Sequence, residues 1–293
     1  MSLTGQPVMK IWRTTRFAID LSRPRVMGIV NVTPDSFSDG GQHADASSAL
    51  AYCEKLLTEG ADILDIGGES TRPGSPPVPL EEELARVLPV VRHATTLGVP
   101  VSVDTCKPEV MQAVLDLGAD IINDVWALRR PGAAQVVAAH GQCGVCLMHM
   151  HRDPQTMQMA PMEGDVLPQV LSFLTQVTQQ LVHRGVAKTR IVWDGGVGFG
   201  KTVQQNFALL ARQEELLTSG YPLLTGWSRK SSLGAVTGYD VGDRLVPSVA
   251  AALLAAERGA SVIRVHDVTQ TVAALKVWAA TLSEQKNQGV PSV

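Results

Sequence analysis

Nowhere in the 293 residues do eighteen uncharged apolar residues run together, which leaves no candidate for a membrane-spanning helix. The first twenty residues also lack an apolar stretch long enough for a signal-peptide core, so the chain is expected to be cytoplasmic, with no membrane partner. Basic runs are missing too. The 25 Lys and Arg and 28 Asp and Glu are spread along the chain for a formal charge of −3, which argues against nucleic acid as a partner. Cysteine is scarce: the four, at positions 53, 106, 143 and 146, have no framework spacing, and a reducing compartment accounts for them without disulfides. No low-complexity segment or linker divides the chain, and 45% hydrophobic content is enough for one large core. A single domain over residues 1–293 is expected.

What is present is an alternation of short β-branched runs with longer helical patterns. Strands are expected near Val26–Val30, Ile63–Ile66, Val101–Val103, Ile121–Ile122, Val145–Met148, Ile191–Trp193, Leu223–Thr225 and Val262–Val265. Apolar spacing of three to four residues predicts helices in Ala46–Thr58, Leu80–Thr96, Val110–Leu117, Val166–His183, Asn206–Leu217, Arg244–Arg258 and Val268–Leu282. Gly60, Gly98, Gly118, Gly185 and Gly259 stand between a helical pattern and the next strand, where a left-handed terminating residue is wanted. Eight parallel units joined by short connections favour an α/β fold closed into a (β/α)8 TIM barrel over an open doubly wound sheet. The segment up to about Leu21 precedes the repeat and is expected as a short N-terminal extension, a flap or hairpin over the barrel floor.

Polar residues follow the strands: Asn31, Asp65, Asp104, Asn123 with Asp124, His149, Asp194, Ser228-Arg229-Lys230, and Arg264 with His266. In a (β/α)8 barrel that end of each strand faces the active site. Any one of these residues could be a helix cap or turn group. Eight strands ending alike are harder to explain that way, because a structural floor needs no such set. Asp104, Asn123, Asp194 and Lys230 suit a flat heterocycle with amino and ring hydrogens on its edge. Asn31, Arg72, Arg264 and His266 suit a diphosphate with a magnesium ion.

Two decoys compete. Gly195-Gly196-Val197-Gly198-Phe199-Gly200-Lys201-Thr202 matches the nucleotide-binding P-loop pattern, but Asp194 at its mouth would repel phosphates and the preceding βα units would go unexplained. Cys143 and Cys146, followed by His149 and His151, invite a zinc reading; three residues apart on a strand, the two thiols point to opposite faces. His43, His93, His140 and His183 fall in loops or on helices and read as surface or capping residues.

Seven strings then carry a family resemblance: Asn31 to Gly41, Asp65 to Gly74, Ser102 to Thr105, Ile122 to Asp124, Gly198 to Lys201, Ser228 to Ser231 and Arg264 to Asp267. In order and over nearly the whole chain, they resemble the motifs of dihydropteroate synthases, folate-biosynthesis transferases that join (7,8-dihydropterin-6-yl)methyl diphosphate to 4-aminobenzoate. The resemblance implies that Asn31 binds magnesium shared with the diphosphate. It places Asp104, Asn123, Asp194 and Lys230 in the pterin pocket, with Met148 and Phe199 as apolar walls. Arg264 would lie over the pterin and hold the anion with His266, Thr71 and Arg72. Loops carrying Asp35 to Phe37 and Thr71 to Pro73 would close over the site and, with Lys230 and Ser231, shape the aminobenzoate pocket. Asp35, Asp104, Lys230 and Arg264 are the implied catalytic residues, with diphosphate leaving before the amine attacks, and a homodimer is the implied assembly. One departure is Asp194-Gly195-Gly196, where family members usually have Asp-Pro-Gly; the extra glycine adds a chain-entropy cost of roughly 1 kcal/mol to fixing that turn. Two alternatives share the pterin-binding residues, a corrinoid-linked methyltransferase and a non-catalytic paralogue. The Ser70-Thr71-Arg72-Pro73 and Ser228-Arg229-Lys230 strings favour the synthase over the first, and retention of Asp35 and Arg72 favours it over the second.

Overall fold

All eight β-branched runs form strands in the structure, a computed structural model that describes residues 7–33, 42–72 and 74–287. After an antiparallel hairpin of β1 (Ile11–Arg13) and β2 (Ala18–Asp20), the parallel strands are β3 (Arg25–Asn31), β4 (Ile63–Gly67), β5 (Val101–Asp104), β6 (Ile121–Asp124), β7 (Gly144–Met148), β8 (Ile191–Asp194), β9 (Leu223–Thr225) and β10 (Val262–Val265). They close in sequence order, with β10 pairing β3, into a (β/α)8 barrel. The helices are α1 (Gln42–Thr58), α2 (Leu80–Ala94), α3 (Pro108–Asp116), α4 (Ala133–His140), α5 (Val166–His183), α6 (Val203–Ala211), α7 (Glu214–Leu217), α8 (Ser231–Thr237), α9 (Leu245–Glu257) and α10 (Val268–Asn287). The helix-terminating glycines behave as expected, with φ between +74° at Gly98 and +101° at Gly60.

Outward-facing strand residues such as Leu64, Val103, Ile122 and Leu147 pack against the inner stripes of the helices in the main core. A second apolar cluster fills the lower barrel: Met27, Ile63, Ile121, Cys146, Val192, Leu224 and Val262, capped by Trp12, Ile19 and Leu21 of the hairpin region. The N-terminal extension is therefore a hairpin over the barrel floor. Fully buried Trp12 donates its indole N–H to the Arg190 carbonyl at 2.9 Å, and Arg16 pairs with buried Asp120 at 2.5 Å. Gly144 is required beneath it, because a Cβ there would lie 3.0 Å from the Trp12 indole nitrogen and 3.3 Å from the Arg13 carbonyl.

Helix α4 carries no expectation from the apolar spacing because it is short and alanine-rich, with only Ala133 and Val137 buried; Gly132 and Gly141, both left-handed, mark its ends. Helix α8 is likewise unanticipated, a seven-residue turn-and-a-half containing Gly234, where a Cβ would meet the Arg244 guanidinium at 2.3 Å. The expected helix Asn206–Leu217 is divided into α6 and α7. Gln213 sits at the break, buried, its amide donating to the carbonyls of Ala255 at 3.0 Å and Arg258 at 3.1 Å.

Candidate active site

Strand periodicity builds the site directly over the floor. Alternate residues of a strand share a face, so the side chain two positions beyond an inward apolar residue also points inward, one layer higher. Ile63 is followed in this way by Asp65, Ile121 by Asn123, Val192 by Asp194, Cys146 by Met148 and Val262 by Arg264. The lower barrel is thus apolar and its mouth polar, on the same strands.

Arg264 crosses that mouth. Its Nε donates to Asp65 Oδ2 at 2.6 Å and its Nη2 to Asp104 Oδ2 at 2.9 Å, while Asn123 Nδ2 donates to the same Asp65 oxygen at 3.2 Å. Burial pushes the Asp104 carboxyl well above the usual range; Arg264 opposes this, and the charges of Asp65 and Asp124 add to it. Burial likewise raises Asp194, against hydrogen bonding from Gly196 N–H and the charges of Lys230 and Lys201. Asp65 is the residue that sequence reasoning undervalued: it appears among the strand ends but receives no role in the site. It is fully buried, holds Arg264 and Asn123, and its Oδ1 has no hydrogen-bond partner among the described residues. Its inward position two residues after Ile63 was the available sign.

Lys230 follows β9 and places Nζ 4.3 Å from the centre of the Phe199 ring. Burial lowers it to about 8, Asp194 opposing. Phe199 joins Val125, Met148, Met150, Met157 and Trp126 in an apolar cluster separate from the main core, so the expected walls Met148 and Phe199 do come together. Trp126 is flanked by the guanidinium groups of Arg129 and Arg130, 5.2 and 5.3 Å from its ring. This apolar cluster, with the carboxyl, amide and ammonium groups of the mouth beside it, has the chemistry that suits a flat polar heterocycle.

The residues expected to face an anion follow β4 and β10. His266 is held by Ser228, whose Oγ lies 2.9 Å from its Nδ1 and accepts its backbone N–H at 3.1 Å. Burial and the charges of Arg229 and Arg264 lower its pKa to about 3, so it is neutral. Arg72 is exposed, and its charge acts on both Lys230 and His266, which places it over the same opening. Thr71 lines a cavity of about 240 Å³ that meets the mouth at Asp104 and continues between Thr105, Trp126 and Pro154. The loop bearing Thr71 and Arg72 is anchored below: Lys107 pairs with Glu69 and buried Glu83, and Thr105 donates to Glu83 at 2.6 Å. Ser231 is exposed at the first position of α8. Asp35, Phe37 and Pro73 lie outside the described residues.

Other strand-end residues have structural work. Asp124 accepts the N–H groups of Trp126 and Leu128, each at 2.8 Å, and shapes a loop in which Ala127 and Leu128 are left-handed. Arg229, also left-handed, pairs with Asp267 at 2.7 Å. Cys146 faces the barrel interior whereas Cys143 packs in the outer core, so the two thiols do not converge. The P-loop likeness dissolves as well: Thr202 is the N-cap of α6, in a reciprocal capping box with Gln205.

No group of three or more His, Cys, Asp or Glu among the described residues is placed to cage a metal ion. A magnesium ion delivered with a diphosphate needs no cage, since phosphate and water oxygens fill most of its octahedron. Asn31, at the mouth end of β3 and paired with Gly67 of β4, offers the one amide oxygen such an arrangement would use.

A barrel whose mouth pairs a heterocycle slot with an anion-facing cluster defines a small-molecule enzyme, and comparison with known proteins supplies its class. Residues 27–266 match the model of the pterin binding enzyme family, and the chain belongs to that family. It is 50% identical over 276 residues to a dihydropteroate synthase of Neisseria meningitidis serogroup B, covering 92% of this chain and 97% of that one. Its fold is similar to that of Xanthomonas albilineans dihydropteroate synthase with 4-aminobenzoic acid (TM-score 0.86, 51% identity, 90% of this chain and 95% of the other). A similar match is the Burkholderia cenocepacia dihydropteroate synthase complexed with 7,8-dihydropteroate (TM-score 0.87, 49% identity, 96% and 99% covered).

Proposed function

We infer that the chain has dihydropteroate synthase activity: it is a transferase that condenses (7,8-dihydropterin-6-yl)methyl diphosphate with 4-aminobenzoate to give 7,8-dihydropteroate and diphosphate in folate biosynthesis. The observation that carries this reading is the barrel mouth itself, where Asp65, Asp104, Asn123, Asp194, Lys230 and Arg264 are gathered beside the Met148 and Phe199 wall.

Asp194, Asn123 and Asp104 suit the amino and ring N–H edge of the pterin, and Lys230 a ring acceptor, with Met148 and Phe199 against the faces. Arg264, His266, Thr71 and Arg72 are assigned to the diphosphate, and Ser231 and Lys230 to the aminobenzoate. Asn31 would hold magnesium, which when bound neutralises charge building on the departing diphosphate. Asp35, Phe37 and Pro73 belong to the same proposal on the resemblance of their loops alone.

In the reaction the methylene C–O bond to diphosphate breaks, a C–N bond to the arylamine forms, and the amine gives up one proton to solvent. An arylamine is a weak nucleophile, so departure of diphosphate before attack is favoured if the methylene cation is stabilised. Asp104 and Asp194 lie where negative charge would face a ring bearing that cation, and a buried charge is worth more there than in water. Neutral His266 can donate to the departing anion from Nε2 if Ser228 supplies the hydrogen bond to Nδ1.

A homodimer in the cytoplasm completes the proposal. Val246 and Leu254 on α9 and Val277 on α10, exposed at 73, 42 and 68%, supply apolar surface for a second copy, and sedimentation equilibrium tests it. The activity is tested by following diphosphate release and dihydropteroate formation with each component omitted in turn. Product is expected only with both substrates and magnesium present; tight pterin binding without product would contradict the reading.

A further inference from the structure

The lysine of the P-loop-like string has no part in the reading above, yet it is 2% exposed and lies directly behind the heterocycle slot. Its Nζ donates to the carbonyl oxygens of Gly196 at 2.8 Å, Phe199 at 3.2 Å and His149 at 3.4 Å, and lies 3.0 Å from His149 Nδ1. A protonated Lys201 has three N–H donors for these four acceptors, so one is shared; when the ammonium donates to Nδ1, the His149 proton resides on Nε2. These four acceptors come from two loops. One follows β7 directly after Met148 and carries Met150; the other follows β8 directly after Asp194 and carries Phe199.

The glycines of the string explain how the carbonyls converge. Gly196, Gly198 and Gly200 have φ of +69°, +83° and +72°. A Cβ on Gly196 would stand 1.8 Å from the His149 carbonyl oxygen, and one on Gly200 would stand 2.6 Å from the His151 Cβ. Gly196 also joins the lysine to the site: its N–H donates to Asp194 Oδ1 at 2.7 Å while its carbonyl accepts from Lys201. One residue thus connects the buried ammonium to the carboxylate assigned to the pterin.

We propose that Lys201 is a positioning residue for Asp194, a buried ammonium that pins the loops after β7 and β8 together and adds its positive charge to those of Lys230 and Arg264 around that carboxylate. The proposal rests on the pterin-binding reading of Asp194. Burial draws the ammonium down to about 7 with Asp194 opposing, and Lys201 in turn lowers Asp194. The other charged or titratable groups facing this pair are Arg264 on β10, Lys230 after β9, Cys146 on β7, His149 and His151 after β7, and Arg129 after β6, whose charge reaches it through His149. Burial and the Lys201 charge hold His149 neutral, at about 2, so Lys201 is the group that can carry charge at this junction.

Lys201→Met keeps the length of the side chain and removes its charge. With 6-hydroxymethyl-7,8-dihydropterin as the probe, the variant is expected to lose about tenfold or more in affinity, while the KM for 4-aminobenzoate stays within about twofold. Loss of a nearby positive charge raises the Asp194 pKa, so the acid limb of the affinity profile should move to higher pH. A folded variant whose acid limb is unmoved would overturn the proposal even if its affinity fell, since packing loss alone would do that. A measurement on folded lysine-labelled protein stands beside it: by NMR the Lys201 titration midpoint should fall in Asp194→Asn relative to the unsubstituted chain, and an unchanged midpoint would overturn the proposal. A chain that binds no pterin at all before substitution would overturn the functional reading, and this proposal with it.

Discussion

The two ends of the barrel are made from the same strands and differ in almost every physical respect. At the floor, Met27, Ile63, Ile121, Cys146, Val192, Leu224 and Val262 close around one another under the Trp12 hairpin. One layer higher, Asp65, Asn123, Asp194 and Arg264 occupy the equivalent inward positions and leave carboxyl and cationic groups crowded together at low exposure. Such crowding is costly: buried charges are tolerated when paired, and Asp65 retains an oxygen with no partner among the described residues. The floor spends its interior on stability, and the mouth forgoes some of it to hold groups ready for a ligand that completes their pairing.

Substitutions can break this comparison. Trp12→Ala opens the floor and should destabilise the chain by about 3 to 5 kcal/mol, the usual range for removing a large buried aromatic, with the KM for both substrates nearly unchanged while the protein remains folded. Urea unfolding and steady-state kinetics on the same preparation check it. A large KM change at equal folded fraction would show that floor and mouth are not separable.

Lys230→Met should do the reverse. It removes a charged hydrogen-bond donor from the slot, costing about 2 to 3 kcal/mol of pterin binding by calorimetry, whereas stability should hold or rise because a buried ammonium is lost. In the unsubstituted chain, pterin affinity should fall as pH rises through about 8, where Lys230 loses its proton. That limb should be absent from the Met variant.

The last effect concerns His266 and develops only on acidification. Its folded pKa, about 3, lies below the ordinary 6.5, so between these values the unfolded chain binds the proton and the folded chain does not. Stability from this residue is therefore full above 6.5 and declines as pH falls, by about 1.4 kcal/mol per pH unit. Denaturation of the unsubstituted chain and His266→Asn across pH 4 to 7 should show the difference between them moving by that slope in favour of the variant on acidification. A constant difference would mean that His266 is charged in the folded state.

Much of the mouth was legible because it depends on period-two spacing and on strand ends, both local in sequence. Asp104, Asn123, Asp194, Lys230, Arg264 and His266 are found at or shortly after the strand ends as the strand pattern expects, whereas Met148 and Phe199 were named only by the family resemblance. Asp65 was not weighed correctly, because its importance lies in a pairing with Arg264, 199 residues away. Lys201 was read through a phosphate-binding string, whereas three left-handed glycines and a facing histidine carbonyl turn it inward. In the helical layer, α4 and α8 escaped because alanine and glycine carry little apolar periodicity, and Gln213 divides a continuous apolar pattern through contacts with α9. For Asp65, Lys201 and Gln213 the deciding partner is distant in the chain; for α4 and α8 the local composition carries too little periodicity.

The central claim, that the polar layer over an apolar floor binds the pterin, is tested most directly by calorimetric titration of 6-hydroxymethyl-7,8-dihydropterin into the unsubstituted chain and into Asp194→Asn, with thermal unfolding of both. The account predicts that the variant remains folded with a similar or higher Tm and loses affinity by about a hundredfold. Equal affinity in a folded variant would contradict it.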